Sequence, residues 1–184
     1  MKRWQLINRL IQESNYMNYL EIGVRQGDCF DKVICKRKVG VDPVGDKATH
    51  KMISDKFFIQ NDKLFDIIFI DGLHLAEQVY RDIINSLKVL NKGGTIVVHD
   101  INPPNEGAQR REKLQNCWTG DCWKTWIRLR EERGNLNMKV FDIDVTGCGV
   151  IKKGEQEKLV RKEPLVYECF EKNRYQCLNL VKND

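Results

Sequence analysis

Apolar residues in the first third of the chain recur at helical spacing and then in short strand-like runs. Within residues 4–14 the apolar side chains lie three and four positions apart, which predicts an amphipathic N-terminal helix within 1–16. Asp28 is a suitable N-cap and predicts a second helix that runs through Cys35. Around these helices, the apolar runs predict strands at residues 19–24, 39–42 and, from a weaker pattern, 51–54.

The middle of the chain carries the clearest patterns. The segment FDIIFID at 65–71 is apolar at odd and even positions alike, which predicts a strand buried on both faces in the centre of a parallel sheet. A continuous apolar stripe over 75–90 predicts a helix, and the sequence NKGG at 91–94 ends it. Residues 95–98 then predict another buried strand.

The last part of the chain begins with a long aperiodic stretch. Its length predicts a functional lid loop at 101–121, followed by a tryptophan-bearing helix at 121–132. Two closing strands, expected to be antiparallel, are predicted at 138–143 and 148–151. The remainder, 152–184, is a charged C-terminal extension with a helical pattern in 165–180.

Strands that alternate with helices predict an α/β fold with a Rossmann-like, doubly wound sheet. We expect about seven strands, mostly parallel, with helices on both faces and an antiparallel closing strand. The absence of repeats and linkers predicts a single domain over residues 1–184. In such sheets, ligands bind beyond the carboxyl ends of the strands, so those ends are where functional residues are expected.

Composition narrows the class of protein. No apolar run approaches the roughly 20 residues that a membrane helix needs, so no membrane partner is expected. Seven cysteines form neither a CxxC pair nor a zinc-ligand spacing, which favours reduced thiols in a cytoplasmic protein. The net charge of +5 permits an anionic substrate but is too small to indicate nucleic-acid binding.

A glycine-containing turn follows the first predicted strand. Its sequence EIGVRQG has the form E-x-G-x-x-x-G, and Asp42 ends the next strand, where a carboxylate can accept both hydroxyls of a ribose. It lacks the GK[ST] of a phosphate-binding loop and the G-x-G-x-x-G of a dinucleotide site, which disfavours a nicotinamide-dependent oxidoreductase. The alternative is a turn that only packs a helix on a strand.

Two segments contain these residues, YLEIGVRQGDCF and VGVDP. They resemble the first two motifs of class I S-adenosylmethionine-dependent methyltransferases. The resemblance implies that S-adenosylmethionine is the cofactor. It implies that Gly23 and Gly27 shape the methionine pocket, that Glu21 supports their loop and that Asp42 holds the ribose. The resemblance also implies that Ser54 and Asp55, which match the family's adenine-contacting pair, bind the cofactor. Asp71 completes the implied set of cofactor-binding residues.

Two later strand ends, DGLH at 71–74 and HD at 99–100, are unusually polar. Carboxylates and imidazoles that converge there would suit a divalent cation, magnesium or manganese, with Asp71, His99 and Asp100 as ligands. The alternative is that Asp71 caps the following helix and that His99 and Asp100 bond loop backbone.

The segment from FDIIFIDGLH to VVHDINPP resembles the macrocin O-methyltransferase-like group and, more distantly, the catechol type. The resemblance implies that Asp71 and Asp100 bind magnesium and that His74 is the catalytic base, although His74 can also be an ordinary helix-start histidine. His99 departs from the pattern, because those relatives commonly carry an acid there; the change should weaken magnesium binding. Asn102-Pro-Pro does not match the nitrogen-methylation motif, which needs an aromatic residue and an earlier strand.

Three tryptophans, Trp118, Trp123 and Trp126, lie among basic residues in or just after the predicted lid. An aromatic, cationic lid would suit a sugar or an anionic conjugate, whereas Trp123 and Trp126 can instead pack their helix on the sheet. The leading hypothesis is therefore metal-assisted O-methylation of a hydroxylated small molecule, sugar or glycan. A metal-independent methyltransferase and a non-catalytic cofactor-binding module stay open, as does an oligomeric state.

Overall fold

In the computed structural model, which describes residues 1–181, seven strands form one sheet. The strands are β1 (Asn18–Ile22), β2 (Arg37–Val41), β3 (Phe65–Ile70), β4 (Leu90–His99), β5 (Leu136–Phe141), β6 (Cys148–Lys153) and β7 (Leu180–Val181). Their order is β2-β1-β3-β4-β6-β5-β7, and β6 runs antiparallel to both of its neighbours while the other pairs are parallel. The predicted mostly parallel sheet with an antiparallel closing strand is confirmed.

Six helices lie on the two faces of the described sheet. They are α1 (Arg3–Ser14), α2 (Ser54–Gln60), α3 (Ala76–Lys88), α4 (Cys122–Glu132), α5 (Tyr167–Lys172) and α6 (Arg174–Leu178). None of the described helices is long and apolar enough to span a membrane.

The sheet separates the hydrophobic core into two layers, and β3 contributes side chains to both, as its unbroken apolar sequence predicts. Ile67 and Phe69 belong to the cluster under α1, whereas Ile68 and Ile70 belong to the cluster under α3 and α4. Successive side chains of a strand point to opposite faces, so a strand with helices on both sides must be apolar throughout. The predicted central strand at 65–71 is therefore confirmed.

The tryptophans of α4 belong to this core. Trp123 and Trp126 are fully buried, and Trp126 packs so closely on β6 that a Cβ on Gly149 would lie 2.3 Å from its ring. The Trp126 indole nitrogen donates a hydrogen bond to the Leu178 carbonyl, 3.1 Å away. These two residues therefore fix α4 on the sheet and on the C-terminal segment, and of the three tryptophans only Trp118 remains in the predicted lid.

The predicted helix over 28–35 is wrong. The structure has a single 3₁₀ turn at Phe30–Lys32, and Val33 is already extended. The Asn8 side chain accepts a hydrogen bond from the Ile34 amide (2.8 Å) and donates one to the Lys32 carbonyl (2.9 Å). Because α1 satisfies these backbone groups, the chain leaves the turn without continuing a helix.

The predicted strand at 51–54 is also wrong. Only His50 forms a β-bridge, with Val41, and residue Ser54 already begins α2. An acidic residue in the first turn, Asp55, favours a helix start over a strand. The seventh strand of the sheet is instead β7, which comes from the predicted C-terminal extension. The same extension forms α5 and α6. Its residues 182–184 lie outside the described residues.

Candidate active site

A cleft of about 930 Å³ lies at the carboxyl ends of β1 to β4. It spans the point between β1 and β3 where the strand order reverses, which is where open α/β sheets bind ligands. All but one of the sequence-predicted site residues line it: Glu21, Gly23, Asp42, Ser54, Asp55, Asp71, His74, His99 and Asp100. Gly27 is the exception.

The loop after β1 is tightly packed against the end of β3. Gly23 has a φ of +92°, and a Cβ there would lie 2.1 Å from the Asp71 carbonyl oxygen. Gly27, with a φ of +88°, closes the turn by donating its amide hydrogen to the Val24 carbonyl. Gly23 therefore allows a close approach to the cleft, while Gly27 shapes the turn behind it.

Asp42 is held by the backbone of two loops. Its Oδ2 accepts a hydrogen bond from the Arg25 amide (2.8 Å), and its Oδ1 accepts from the amides of Val44 (2.9 Å) and Gly45 (2.7 Å). A carboxylate has about four lone-pair sites, so this buried group keeps accepting capacity for a ligand hydroxyl.

Glu21 is buried at the floor of the cleft but does not bond the glycine loop. Its carboxyl accepts a hydrogen bond from the Tyr19 hydroxyl. Burial raises the pKa of Glu21 to about 8, although the Tyr19 hydrogen bond and the nearby Arg3 oppose this rise. The group therefore holds its proton at neutral pH, which sequence reasoning did not anticipate.

At the carboxyl ends of β3 and β4, two acids and two histidines contact one another through their side chains. His74 Nε2 lies 3.4 Å from Asp71 Oδ1 and 3.2 Å from Asp100 Oδ2. One donor atom from each of these three residues falls within 4.8 Å of the others, a spacing that fits a divalent cation. His99 Nδ1 approaches the same acids, 3.2 Å from Asp71 Oδ1 and 3.3 Å from Asp100 Oδ1. The structure thus brings all four residues together, with His74 nearer to a ligand position than the sequence predicted.

These contacts lower the pKa of Asp71 and raise the pKa values of the two histidines. Burial alone would raise the pKa of Asp71, but His99 and His74 hold it well below its usual range. Burial alone would lower the pKa of each histidine, but the carboxylates outweigh it and raise both, that of His99 strongly. The acids and the histidines of this cluster therefore stabilise each other's charged forms.

Arg3 and Asp144, which lie beside the charged cluster, were not predicted from the sequence. Arg3 Nη1 forms a 2.7 Å ion pair with Asp144 Oδ2, and its Nε lies 3.6 Å from Asp71 Oδ2. Asp144 in turn lies 3.7 Å from His99 Nε2. No local motif marks Arg3, because only the packing of α1 beside the β5–β6 loop brings it to the cleft.

Backbone strain concentrates around the cleft. Arg25, Asp100, Asp144 and Val145 all line it with a positive φ, at 49°, 61°, 54° and 72°. A positive φ is unfavourable for any residue with a Cβ and most of all for a β-branched one such as Val145. Such strain persists where the surrounding structure holds it, which is characteristic of functional sites.

The predicted lid segment covers His74. The Trp118 ring stacks on the His74 ring with centroids 4.8 Å apart, and the Trp118 carbonyl lies 3.3 Å from His74 Nδ1. Arg111 fixes this segment through ion pairs with Glu77 (2.6 Å) and Asp121 (3.0 Å). Because Nδ1 faces a carbonyl, Nε2 is the His74 nitrogen directed at the acids.

Comparison with known proteins agrees with this architecture. Residues 37–101, about a third of the chain, match a family model described as a methyltransferase domain. That segment contains Asp42, Asp71, His74, His99 and Asp100. No curated protein matches the chain.

Three solved structures illustrate the likeness. The O-methyltransferase from Bacillus cereus in complex with S-adenosylhomocysteine is 15% identical, with a TM-score of 0.59 over 82% of this chain and 80% of that one. The O-methyltransferase TomG from Streptomyces achromogenes, in complex with S-adenosylmethionine, is 14% identical, with a TM-score of 0.60 over 83% and 79%. The methyltransferase MycE, in complex with magnesium, S-adenosylhomocysteine and mycinamycin VI, is 16% identical, with a TM-score of 0.54 over 86% of this chain and 51% of that one.

The chain has the Rossmann-like methyltransferase fold. At these identities the likeness concerns the fold, and the resemblance to the macrocin-like group stays a prediction.

Proposed function

We propose that this protein is an S-adenosylmethionine-dependent methyltransferase that methylates a hydroxyl group of a small molecule, with help from a divalent cation. One observation carries the proposal: a loop suited to a nucleoside cofactor and a cluster of acids and histidines share one cleft and touch each other. The contact is that of Gly23 with the end of β3, where a Cβ would lie 2.1 Å from the Asp71 carbonyl. The match of residues 37–101 to a methyltransferase domain supports it independently.

The cofactor half of the cleft would bind and orient. Asp42, already fixed by three amides, would accept the ribose hydroxyls, and the Gly23 loop would let the methionine part pass close to the end of β3. These residues position the donor and leave the chemistry to the charged cluster.

The reaction needs a nucleophilic oxygen in line with the methyl group. His74 Nε2 would accept the hydroxyl proton as the acceptor oxygen takes the methyl group, and the sulfur of the donor would keep the electron pair of the carbon–sulfur bond. When bound, S-adenosylmethionine supplies the electrophilic methyl group, and a divalent cation lowers the pKa of an oxygen ligand. A histidine base alone would struggle with an aliphatic hydroxyl, because its ordinary pKa is about 6.5.

The donor set fits a cation. Asp71 and Asp100 supply carboxylate oxygens, and both histidines lie within 3.4 Å of at least one of those carboxylates. The three residues whose donor atoms are spaced for a cation are Asp71, His74 and Asp100, but one Nε2 atom cannot both bind a cation and accept a proton. We therefore assign His74 to the proton and propose His99, whose Nδ1 lies within 3.3 Å of both acids, as the third ligand beside Asp71 and Asp100. Manganese titration separates the two roles: His74→Gln should keep the manganese affinity of the unsubstituted protein, whereas a large loss would make His74 a ligand.

A metal-independent methyltransferase is the second candidate. The observation in its favour is His99, whose Nδ1 lies within 3.3 Å of both acids and whose pKa they raise, against the effect of burial. An imidazolium there neutralises the carboxylates without a cation. Methyl transfer that is unchanged by a chelator would favour this candidate.

The acceptor would enter beside the lid. Lys113, Asn116 and Trp118 line that side of the cleft and offer a cation, an amide and an aromatic ring. This set suits a hydroxylated acceptor such as a sugar or glycan, including one with an anionic group.

The test is transfer of labelled methyl groups to a panel of hydroxylated acceptors. We expect turnover that chelator removes and manganese or magnesium restores, together with S-adenosylhomocysteine binding by calorimetry. Cofactor binding without transfer to any acceptor would point to a non-catalytic module. Absence of cofactor binding would contradict the proposal.

A further inference from the structure

The two ring nitrogens of His99 have different surroundings. Nδ1 faces the cleft and lies 3.2 Å from Asp71 Oδ1 and 3.3 Å from Asp100 Oδ1. Nε2 faces the loop between β5 and β6, where it lies 3.3 Å from Thr146 Oγ1 and 3.7 Å from Asp144 Oδ2. The buried imidazole ring therefore lies between the acids of the cleft and a second polar pair.

The β5–β6 loop is held in the conformation that presents this second pair. Asp144 Oδ2 accepts a 2.7 Å hydrogen bond from Arg3 Nη1, and Asp144 Oδ1 pairs with Lys2 Nζ at 3.0 Å. The Thr146 carbonyl accepts a 2.7 Å hydrogen bond from the amide of Asn102, in the segment that continues from β4. These contacts hold the loop in place although Asp144 has an unfavourable φ of 54°.

This arrangement determines which nitrogen of His99 can bind a cation. A carboxylate can only accept hydrogen bonds, so an Nε2 that faces Asp144 keeps its hydrogen. In a neutral imidazole the other nitrogen then has the free lone pair, and here that atom is Nδ1, beside Asp71 and Asp100. Carboxylates commonly orient metal-binding histidines in this way.

A nitrogen ligand also affects which cation the site prefers. Magnesium is a hard cation that takes oxygen ligands and loses its water molecules reluctantly. Imidazole suits first-row transition metals, whose affinity for nitrogen-containing sites rises from manganese towards copper. Two carboxylates and one imidazole therefore favour a transition metal over magnesium.

We propose that Asp144 and Thr146 hold His99 so that its Nδ1 binds the cation, and that this nitrogen ligand makes the site prefer a first-row transition metal to magnesium. The proposal rests on the cation site of the proposed function. It adds two positioning residues and a class of metal to that site.

The first measurement identifies the nitrogen ligand by proton NMR of the full chain loaded with Co²⁺. The ring N–H of a histidine bound to this paramagnetic ion gives a signal far outside the normal range, which disappears in D₂O. We expect one such signal, from the Nε2 hydrogen of His99, that persists in His74→Gln and is absent from His99→Asp. A signal that is lost in His74→Gln and kept in His99→Asp would make His74 the ligand and would overturn the proposal.

The second measurement compares the affinities for Co²⁺ and Mg²⁺ by calorimetry. Asp144→Asn should lower Co²⁺ affinity by roughly tenfold to a hundredfold, as removal of a partner of a ligating histidine usually does, and Mg²⁺ affinity less. Asp142→Asn is the matched control, because it makes the same charge change in the same loop, but its side chain meets Asn102, at 2.9 Å. The control should keep the ratio of the two affinities. Equal losses for both cations in Asp144→Asn would show a purely structural or electrostatic role and would contradict the proposal.

Thr146→Val tests the same claim without a change of charge. It removes the hydroxyl beside His99 Nε2 and should also lower the ratio of Co²⁺ to Mg²⁺ affinity. This variant decides the question if Asp144→Asn does not fold, and an unchanged ratio would overturn the proposal. Failure of the unsubstituted protein to bind either cation would contradict the cation-assisted function itself.

Discussion

The two ends of the cleft are held in place by different means. At the end of β2, backbone amides fix Asp42, so the position of its carboxylate follows from the course of two loops. At the ends of β3 and β4, Asp71, His74 and Asp100 are held mainly by one another's charges. A site built from backbone contacts is formed before its ligand arrives, whereas one built from opposed charges responds to protons and cations. The difference fits the proposed division of roles, with cofactor binding at one end and chemistry at the other.

The largest effect is expected when the proposed base is removed. His74→Gln should lower methyl transfer by about a hundredfold to ten-thousandfold, because a positioned general base contributes roughly that much. S-adenosylhomocysteine affinity should stay nearly unchanged, since the backbone-held end is untouched. His50→Gln, outside the cleft, is the control. Turnover near that of the unsubstituted protein would remove His74 from the mechanism.

Gly23→Ala acts on the backbone-held end. The added Cβ would lie 2.1 Å from the Asp71 carbonyl at a φ of +92°, so the loop must move away from β3. We expect at least a tenfold loss of S-adenosylhomocysteine affinity in calorimetry. In the matched control, Gly72→Ala, the added Cβ meets Ile22 at an ordinary 3.4 Å. Equal behaviour of the two variants would show that the close approach is unimportant.

A milder change at the same end is Asp42→Asn. The amide nitrogen cannot accept one of the backbone hydrogen bonds, which leaves a donor without a partner at a cost of about 1–3 kcal/mol. The free energy of unfolding in denaturant should fall by that amount, and cofactor affinity should fall with it. Asp46→Asn, in the same loop but exposed, should change neither. A loss of turnover without a loss of affinity would contradict the division of roles.

The last prediction concerns stability alone, through its dependence on pH. Burial raises the pKa of Glu21 from 4.5 to about 8, so the folded state binds this proton more tightly than the unfolded chain. The resulting stability is complete below about pH 4.5 and is lost as the pH rises through 8. Denaturant unfolding of Glu21→Gln should therefore show a shallower decline over that window. Parallel curves for the two proteins would mean that Glu21 ionises normally.

The sequence predicted the strand-end residues best. Gly23, Asp42, Asp71 and Asp100 follow apolar runs, and the carboxyl ends of parallel strands necessarily meet at one edge of the sheet. The helix at 28–35 was wrong because Asn8 of α1 satisfies the backbone that would have continued it. Local patterns contain no such long-range contact.

Residues brought to the cleft by packing were missed for the same reason. Arg3 reaches Asp71 and Asp144 only through the docking of α1. Gln78 and Asp82 lie one turn apart on α3, and that spacing was a usable signal. Their i and i+4 positions place both on one side of the helix. Only the position of α2 shows that this side faces Ser54.

The most direct test of the division between the two ends is a crystal structure with S-adenosylhomocysteine and manganese, analysed by anomalous scattering. We predict the ribose at Asp42 and one manganese peak between Asp71 and Asp100. A nucleoside outside the cleft, or manganese bound away from these two carboxylates, would contradict the account.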